Sequence, residues 1–87
     1  MIKMRQNRLG MKYLLIPRDN NKTEIKLGPK SILVDMPVHE VETAWNDWQY
    51  RDDYIQNAFK KLNDGEREFI LTGLLNSEFE ALFAEDE

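Results

Sequence analysis

Around Pro37 the hydrophobic pattern of the chain changes period, and this change limits its possible folds more than any other feature. Before Pro37 the apolar residues come in short runs bounded by turn residues. Met11 to Ile16 (MKYLLI) is one such run, followed by Pro17. Thr23 to Leu27 (TEIKL) alternates strictly, with Ile25 and Leu27 on one side and Glu24 and Lys26 on the other. Ser31 to Met36 (SILVDM) is the third run. After Pro37 the apolar residues take helical spacing. Val38, Val41, Trp45 and Trp48 form one stripe, and Tyr54, Ile55, Ala58, Phe59 and Leu62 a second. Strands followed by helices are the mark of an α+β domain. The expected fold is a small antiparallel sheet of about three strands (11–16, 23–27, 31–36) with three to four helices packed on it.

Local punctuation agrees with this division. Asp19, Asn20 and Asn21 lie in RDNNK, a loop of about five residues that closes a hairpin, because Asn and Asp tolerate left-handed backbone. Gly28-Pro29 breaks the second strand from the third. Residues 49–53 (QYRDD) interrupt the helical stripes. Asn63 and Glu66 have capping-box spacing, and Gly73 supplies a helix stop. Ser77 and Glu80 repeat the box for a last helix carrying Phe79, Leu82 and Phe83. Residues 1–10 (MIKMRQNRLG) show no clear period and read as a basic, flexible arm; Met11 is a candidate alternative start that would make them dispensable. Residues 11–87 are expected to form a single domain.

With 87 residues and no cysteine, neither a disulfide nor a thiolate zinc site can hold the chain together, so its apolar core must. No apolar run nears the length of a membrane span, and YLLI is too short for a signal peptide. The expected location is the cytoplasm, without membrane association.

Charge is divided unevenly. Residues 1–30 carry eight Lys and Arg against two carboxylates, and residues 31–87 carry four against fourteen. This is either a pair of charged partner surfaces or two solvated surfaces that attract each other within the fold.

The helical half also carries a recurring string. It comprises Trp45 or Trp48, then Ile55, Gln56, Asn57, Ala58 and Phe59, then Leu62. Glu66, Arg67, Glu68, Phe69, Thr72 and Gly73 follow, and finally Glu78, Phe79, Leu82 and Phe83. It resembles the C-terminal part of a group of small phage- and prophage-encoded proteins, over roughly residues 31–83. Two positions depart from the group: Lys60 replaces a proline after Ala58-Phe59, and Phe79 replaces a tryptophan. The first leaves the second helix free to run on to Leu62. The resemblance implies a mobile-element origin and no particular reaction.

Catalytic chemistry has little material. His39 is the only histidine, and HEVE lacks the second imidazole of a zinc helix. Asp52-Asp53 reads as helix-start charge. The DNNKTE loop imitates the first half of a calcium loop, but Glu24 stands at the glycine position and Lys30 at the bidentate-glutamate position. The expectation is a non-enzymatic protein with no metal and no cofactor.

Binding is the better expectation. Trp45, Asp47, Trp48, Tyr50, Asp52, Asp53 and Tyr54 form an acidic and aromatic candidate surface for a partner. The partner would be a host protein or nucleoprotein machine that the protein modulates or inhibits, as an anti-defence inhibitor such as an anti-CRISPR does. In that reading carboxylates such as Asp47, Asp52, Asp53, Glu66 and Glu68 would occupy a basic nucleic-acid channel. The alternative is a nucleic-acid-binding protein using Lys3, Arg5, Arg8, Lys12, Lys22, Lys26 and Lys30, although Tyr13 is the only aromatic there to stack on bases. A structural homodimer is the third reading.

Overall fold

The computed structural model describes residues 2–75 together with Ser77 and Glu78. Four strands come first: β1 Lys3–Gln6, β2 Lys12–Arg18, β3 Lys22–Leu27 and β4 Lys30–Val34. Three helices follow: α1 Val38–Tyr50, α2 Ile55–Ala58 and α3 Asp64–Thr72. The strands form one antiparallel meander in the order β1-β2-β3-β4. The fold is α+β, with one more strand than the hydrophobic runs indicated.

The extra strand comes from the segment expected to be a flexible arm. In β1, Met4 lies opposite Leu14 and Arg5 opposite Tyr13. The arm expectation fails because Asn7, just beyond β1, is buried and tied to the far end of the chain. Its Nδ2 donates to Ile70 O (2.9 Å) and Leu71 O (3.1 Å), and its Oδ1 accepts from the amides of Leu9 (3.0 Å) and Met11 (2.9 Å). The last carbonyls of a helix have no partner inside the helix. Asn7 supplies two of them for α3.

In β2 and β3 the alternation works as the sequence indicates. Tyr13, Leu15, Thr23 and Ile25 are buried toward the helices, and the residues between them face away. Pro17 does not end β2; it lies opposite Thr23, beyond the last β1 partner, where β2 has a neighbour on one side only. Asn20 and Asn21, with φ of 61° and 57°, make the tight turn into β3. Gly28, at φ 60°, opens a two-residue turn whose second member is Pro29. Positive then negative φ is the sign pattern of a type II′ hairpin.

The outer edge of β1 is closed by side chains. Met4 O accepts from the Arg5 guanidinium at 2.8 Å, and Gln6 O accepts from Trp45 Nε1 at 2.8 Å and from the Gln49 amide. Occupied carbonyls make a poor template for a further strand.

Helix α1 lays Val41, Ala44, Trp45 and Trp48 against the sheet, the predicted stripe with Val38 at its partly buried start. The second stripe is broken. Helix α2 has four residues and stops at Phe59, so the expected continuation to Leu62 does not occur. Phe59 O accepts instead from Leu62 N (3.1 Å) and from Arg67 Nε (3.1 Å), which holds the turn although Lys60 is not proline. Tyr54, expected within that stripe, sits at the N-cap of α2 in extended backbone with its ring in solvent.

Helix α3 keeps its expected punctuation. Asn63 Oδ1 accepts from Glu66 N at 2.8 Å, Glu66 Oε1 accepts from Asn63 N at 2.9 Å, and Gly73 caps the end at φ 78°. Ser77 is helical; the rest of the last capping box and Phe79, Leu82 and Phe83 lie outside the described residues. Tyr13, Trp45, Trp48, Phe59 and Phe69 make the centre of the core, in edge-to-face contacts of 5.3 to 6.5 Å.

Candidate functional site

The acidic and aromatic candidate set separates into core and surface. Trp45 is fully buried and Trp48 nearly so, which removes both from the partner-binding set. They are stacked edge-on by Tyr13 and Phe59, side chains brought in by other elements. The remaining members stay together on the surface. Tyr50 ends α1 and is 83% exposed; Tyr54 precedes α2 and is 71% exposed. Between them the backbone turns sharply. Asp52 has φ 58°, and the amides of Arg51 and Asp53 both reach Asp47 O, at 3.1 and 3.4 Å. Asp53 Oδ1 accepts from Tyr54 N at 2.9 Å and fixes the entry to α2. Arg51 lies 3.6 Å from the Asp47 carboxylate.

The corner is braced by Arg8. Its guanidinium lies 5.1 Å from the centre of the Trp48 ring, donates to Trp48 O at 2.5 Å and approaches Asp52 Oδ1 at 3.5 Å. Helix α1 has no basic residue in its last turn. Arg8 brings the positive charge that a helix C-terminus favours. An open groove of about 700 Å³ runs beside the corner between β1 and α1, lined by Arg5, Arg8, Asn46, Gln49 and Tyr50.

The basic candidate set does not form one face. Arg5 pairs with Glu42 at 2.8 Å, Arg8 is placed as above, and Lys30 donates to Gly73 O at 2.6 Å and pairs with Glu78 at 3.1 Å. Lys3 sits opposite Leu15, on the helix side of the sheet. Lys12, Lys22 and Lys26 are on the other side, by alternation from Tyr13, Thr23 and Ile25. Part of the charge division is therefore attraction within the fold: Arg5, Arg8 and Lys30, three of the eight cations of residues 1–30, meet Glu42, Asp52 and Glu78 from the acidic remainder.

One surface escaped the sequence reading. The side of the sheet away from the helices exposes Met4 (51%), Leu14 (39%) and Leu33 (53%), with Ile16 half-buried and Ile2 57% exposed at the start of the chain. Met4 and Leu14 are cross-strand partners. A signal for it exists in YLLI, where apolar residues occupy both strand parities, so that a single-sided sheet cannot hide them all. Around these side chains stand Lys12, Lys22, Lys26 and Arg18. Two carboxylates stand with them: Glu24, hydrogen-bonded to Arg18, which holds it below the usual glutamate range, and Asp19, in a groove with Arg18, Lys22 and Leu33.

Among the described residues no three His, Cys, Asp or Glu side chains converge as metal ligands. No described helix is long and apolar enough to cross a membrane. Compared with protein-family models, curated proteins and solved structures, the chain matches none.

Proposed function

We propose that this protein is a non-enzymatic accessory protein of a phage or other mobile element, and that it modulates or inhibits a host macromolecular machine by binding it. The contact is the corner between α1 and α2. The observation that carries this is the pair Tyr50 and Tyr54, both more than two-thirds exposed, set among Asp47, Asp52 and Asp53 on a backbone turn that Arg8 holds in place. Tyrosines displayed from a braced turn lose little conformational freedom on binding and are frequent anchors of interfaces. Carboxylates around them favour a basic partner surface, such as a nucleic-acid channel, through steering and complementarity. The mobile-element assignment rests on the resemblance of residues 31–83 to phage-encoded proteins.

The nucleic-acid reading has less support. Arg5, Arg8 and Lys30 are engaged within the fold, and the three lysines left on the open sheet face surround aliphatic side chains rather than rings that stack on bases.

Affinity capture with the full chain from a bacterial host lysate tests the proposal, run beside the Tyr50→Ala/Tyr54→Ala variant. The expected result is one specific protein or nucleoprotein, retained by the wild type and weakened at least ~30-fold by the double change, as loss of hot-spot anchors gives. Both side chains are outside the core, so circular dichroism of the variant should match the parent. Failure to retain a specific partner across several salt concentrations, or retention unaffected by the two changes, sinks the assignment.

A further inference from the structure

The open face of the sheet breaks the rule by which one-layer sheets stay monomeric. An antiparallel sheet with helices on one side ordinarily places apolar residues inward and polar residues outward. In β1 the pattern is inverted. Arg5 and Lys3 point to the helix side, opposite the buried Tyr13 and Leu15, while Met4 points to the open side, opposite Leu14. A slip of one residue would exchange the two sets. The register that exists is favoured by the buried Asn7, whose hydrogen bonds with Ile70 O, Leu71 O and Met11 N a slip would break. The sequence therefore keeps Met4, Leu14, Ile16 and Leu33 on one face that no described helix covers, against the tendency of a folding chain to hide them.

Charge identifies what the face fits. Lys12, Lys22, Lys26 and Arg18 surround the aliphatic centre; the Glu24 carboxylate is taken by Arg18, and Asp19 stands at the Arg18–Lys22 end of the hairpin, away from Lys26 and Lys12. A second copy laid face to face would set these cations against their own kind, which costs affinity in a two-fold interface. Nucleic acid would find no ring to stack on and an aliphatic centre where its phosphates need donors. We propose that the open sheet face is a second docking surface, separate from the tyrosine corner, and that it takes an acidic protein surface carrying an apolar stripe. The stripe covers Met4 and Leu14, and its carboxylates meet Lys12 and Lys26. The two surfaces, one basic and one acidic, let the protein hold two partners of opposite charge at once.

The test uses the full chain labelled with nitrogen-15 and a synthetic amphipathic helical peptide with leucine at i, i+3, i+4 and i+7 and glutamate elsewhere. The expected result is amide shifts confined to the outward positions of the four strands, Lys26 of β3 among them. Leu14→Glu, a change at a partly exposed site, should weaken binding at least about tenfold, and so should Lys26→Glu, which leaves the apolar centre intact. Tyr50→Ala/Tyr54→Ala should leave it unchanged, so failure here and failure of the corner remain distinguishable. The proposal is overturned by no shifts at these positions, or by equal binding of a peptide with lysine in place of glutamate. It is also overturned by Leu14-dependent binding to phosphatidylglycerol vesicles or duplex DNA, by a Leu14-dependent dimer in sedimentation, or by nuclear Overhauser contacts from residues 79–87 to the Leu14 methyls, which would show the face occupied by the chain itself.

Discussion

Asn7 has more structural work than any other polar side chain described. It satisfies two carbonyls of α3 and two amides of its own turn, and its Nδ2 also lies 3.3 Å from the Tyr13 hydroxyl. Truncation to alanine would leave several of these groups buried without partners, at about 1–3 kcal/mol for each that water cannot reach. Asn7→Ala should therefore lower the urea-unfolding free energy by roughly 2–4 kcal/mol, a large part of a small domain's stability. Tyr13 belongs to the same cluster, its hydroxyl 2.5 Å from Phe69 O and 3.0 Å from Ile70 O. Burial pushes that hydroxyl up to about 12, and the Asn7 contact offsets this only in part. The neutral form is the one the fold accommodates. Its contribution is complete below pH 10, where the unfolded tyrosine is also neutral, and is lost as pH rises from 10 through about 12. Stability should fall over that window by on the order of 2–3 kcal/mol from this group. Tyr13→Phe should be less stable at neutral pH and show a flatter alkaline limb in urea titrations.

Among the elements, α3 shows how local and non-local causes divide. Its N-terminus is set within four residues by Asn63 and Glu66, so Asn63→Ala should cost about 1 kcal/mol and lower the melting temperature by roughly 4–8 °C. Its C-terminus is set by packing as well as by backbone. A Cβ on Gly73 would stand 2.7 Å from Leu27 Cδ2 and 3.2 Å from Met11 Sδ, at a φ of 78°. Gly10 has a similar φ, 84°, but open space around it. Gly73→Ala should thus destabilise more than Gly10→Ala, which carries only the left-handed cost of about 1–2 kcal/mol. Thermal melts of the two variants compare them directly. The same division explains what could be read in the sequence. The TEIKL strand, the Val38–Trp48 stripe and the caps of α3 were legible because each depends on neighbours in the chain. Strand β1 was not, because its inward residues are charged and its placement depends on acceptors in α3. The tryptophan stripe was legible as a stripe; that it is covered depends on Tyr13 and Phe59, from two other segments. The exposure of Tyr50 was legible because it falls off the Trp45–Trp48 stripe, whereas that of Tyr54 was not, because its spacing placed it with Ile55, Ala58 and Phe59.

At the scale of the whole molecule, the first ten residues bind the two halves together. Strand β1 extends the sheet, Gln6 receives Trp45 and Gln49 from α1, Arg8 closes the end of α1, and Asn7 closes α3. A chain begun at Met11 should lose cooperative unfolding and bind the dye that reports exposed apolar surface, whereas a dispensable arm would leave both unchanged. The long reach of Asn7 has a further consequence, for the order of events during synthesis. Its amide is made well before its acceptors, Ile70 and Leu71, which come 63 and 64 residues later. Contacts so distant cannot help until both ends exist, and closing so large a loop slows folding. The strands are made before the helices, and although α1 can cover part of their inner face, the part closed by α3 stays open until that helix is made. Nascent chains arrested before Phe69 should stay open to protease, and protection should arise only once α3 is free to fold, so that a pause in translation before that point would prolong the interval in which this chain is most easily lost.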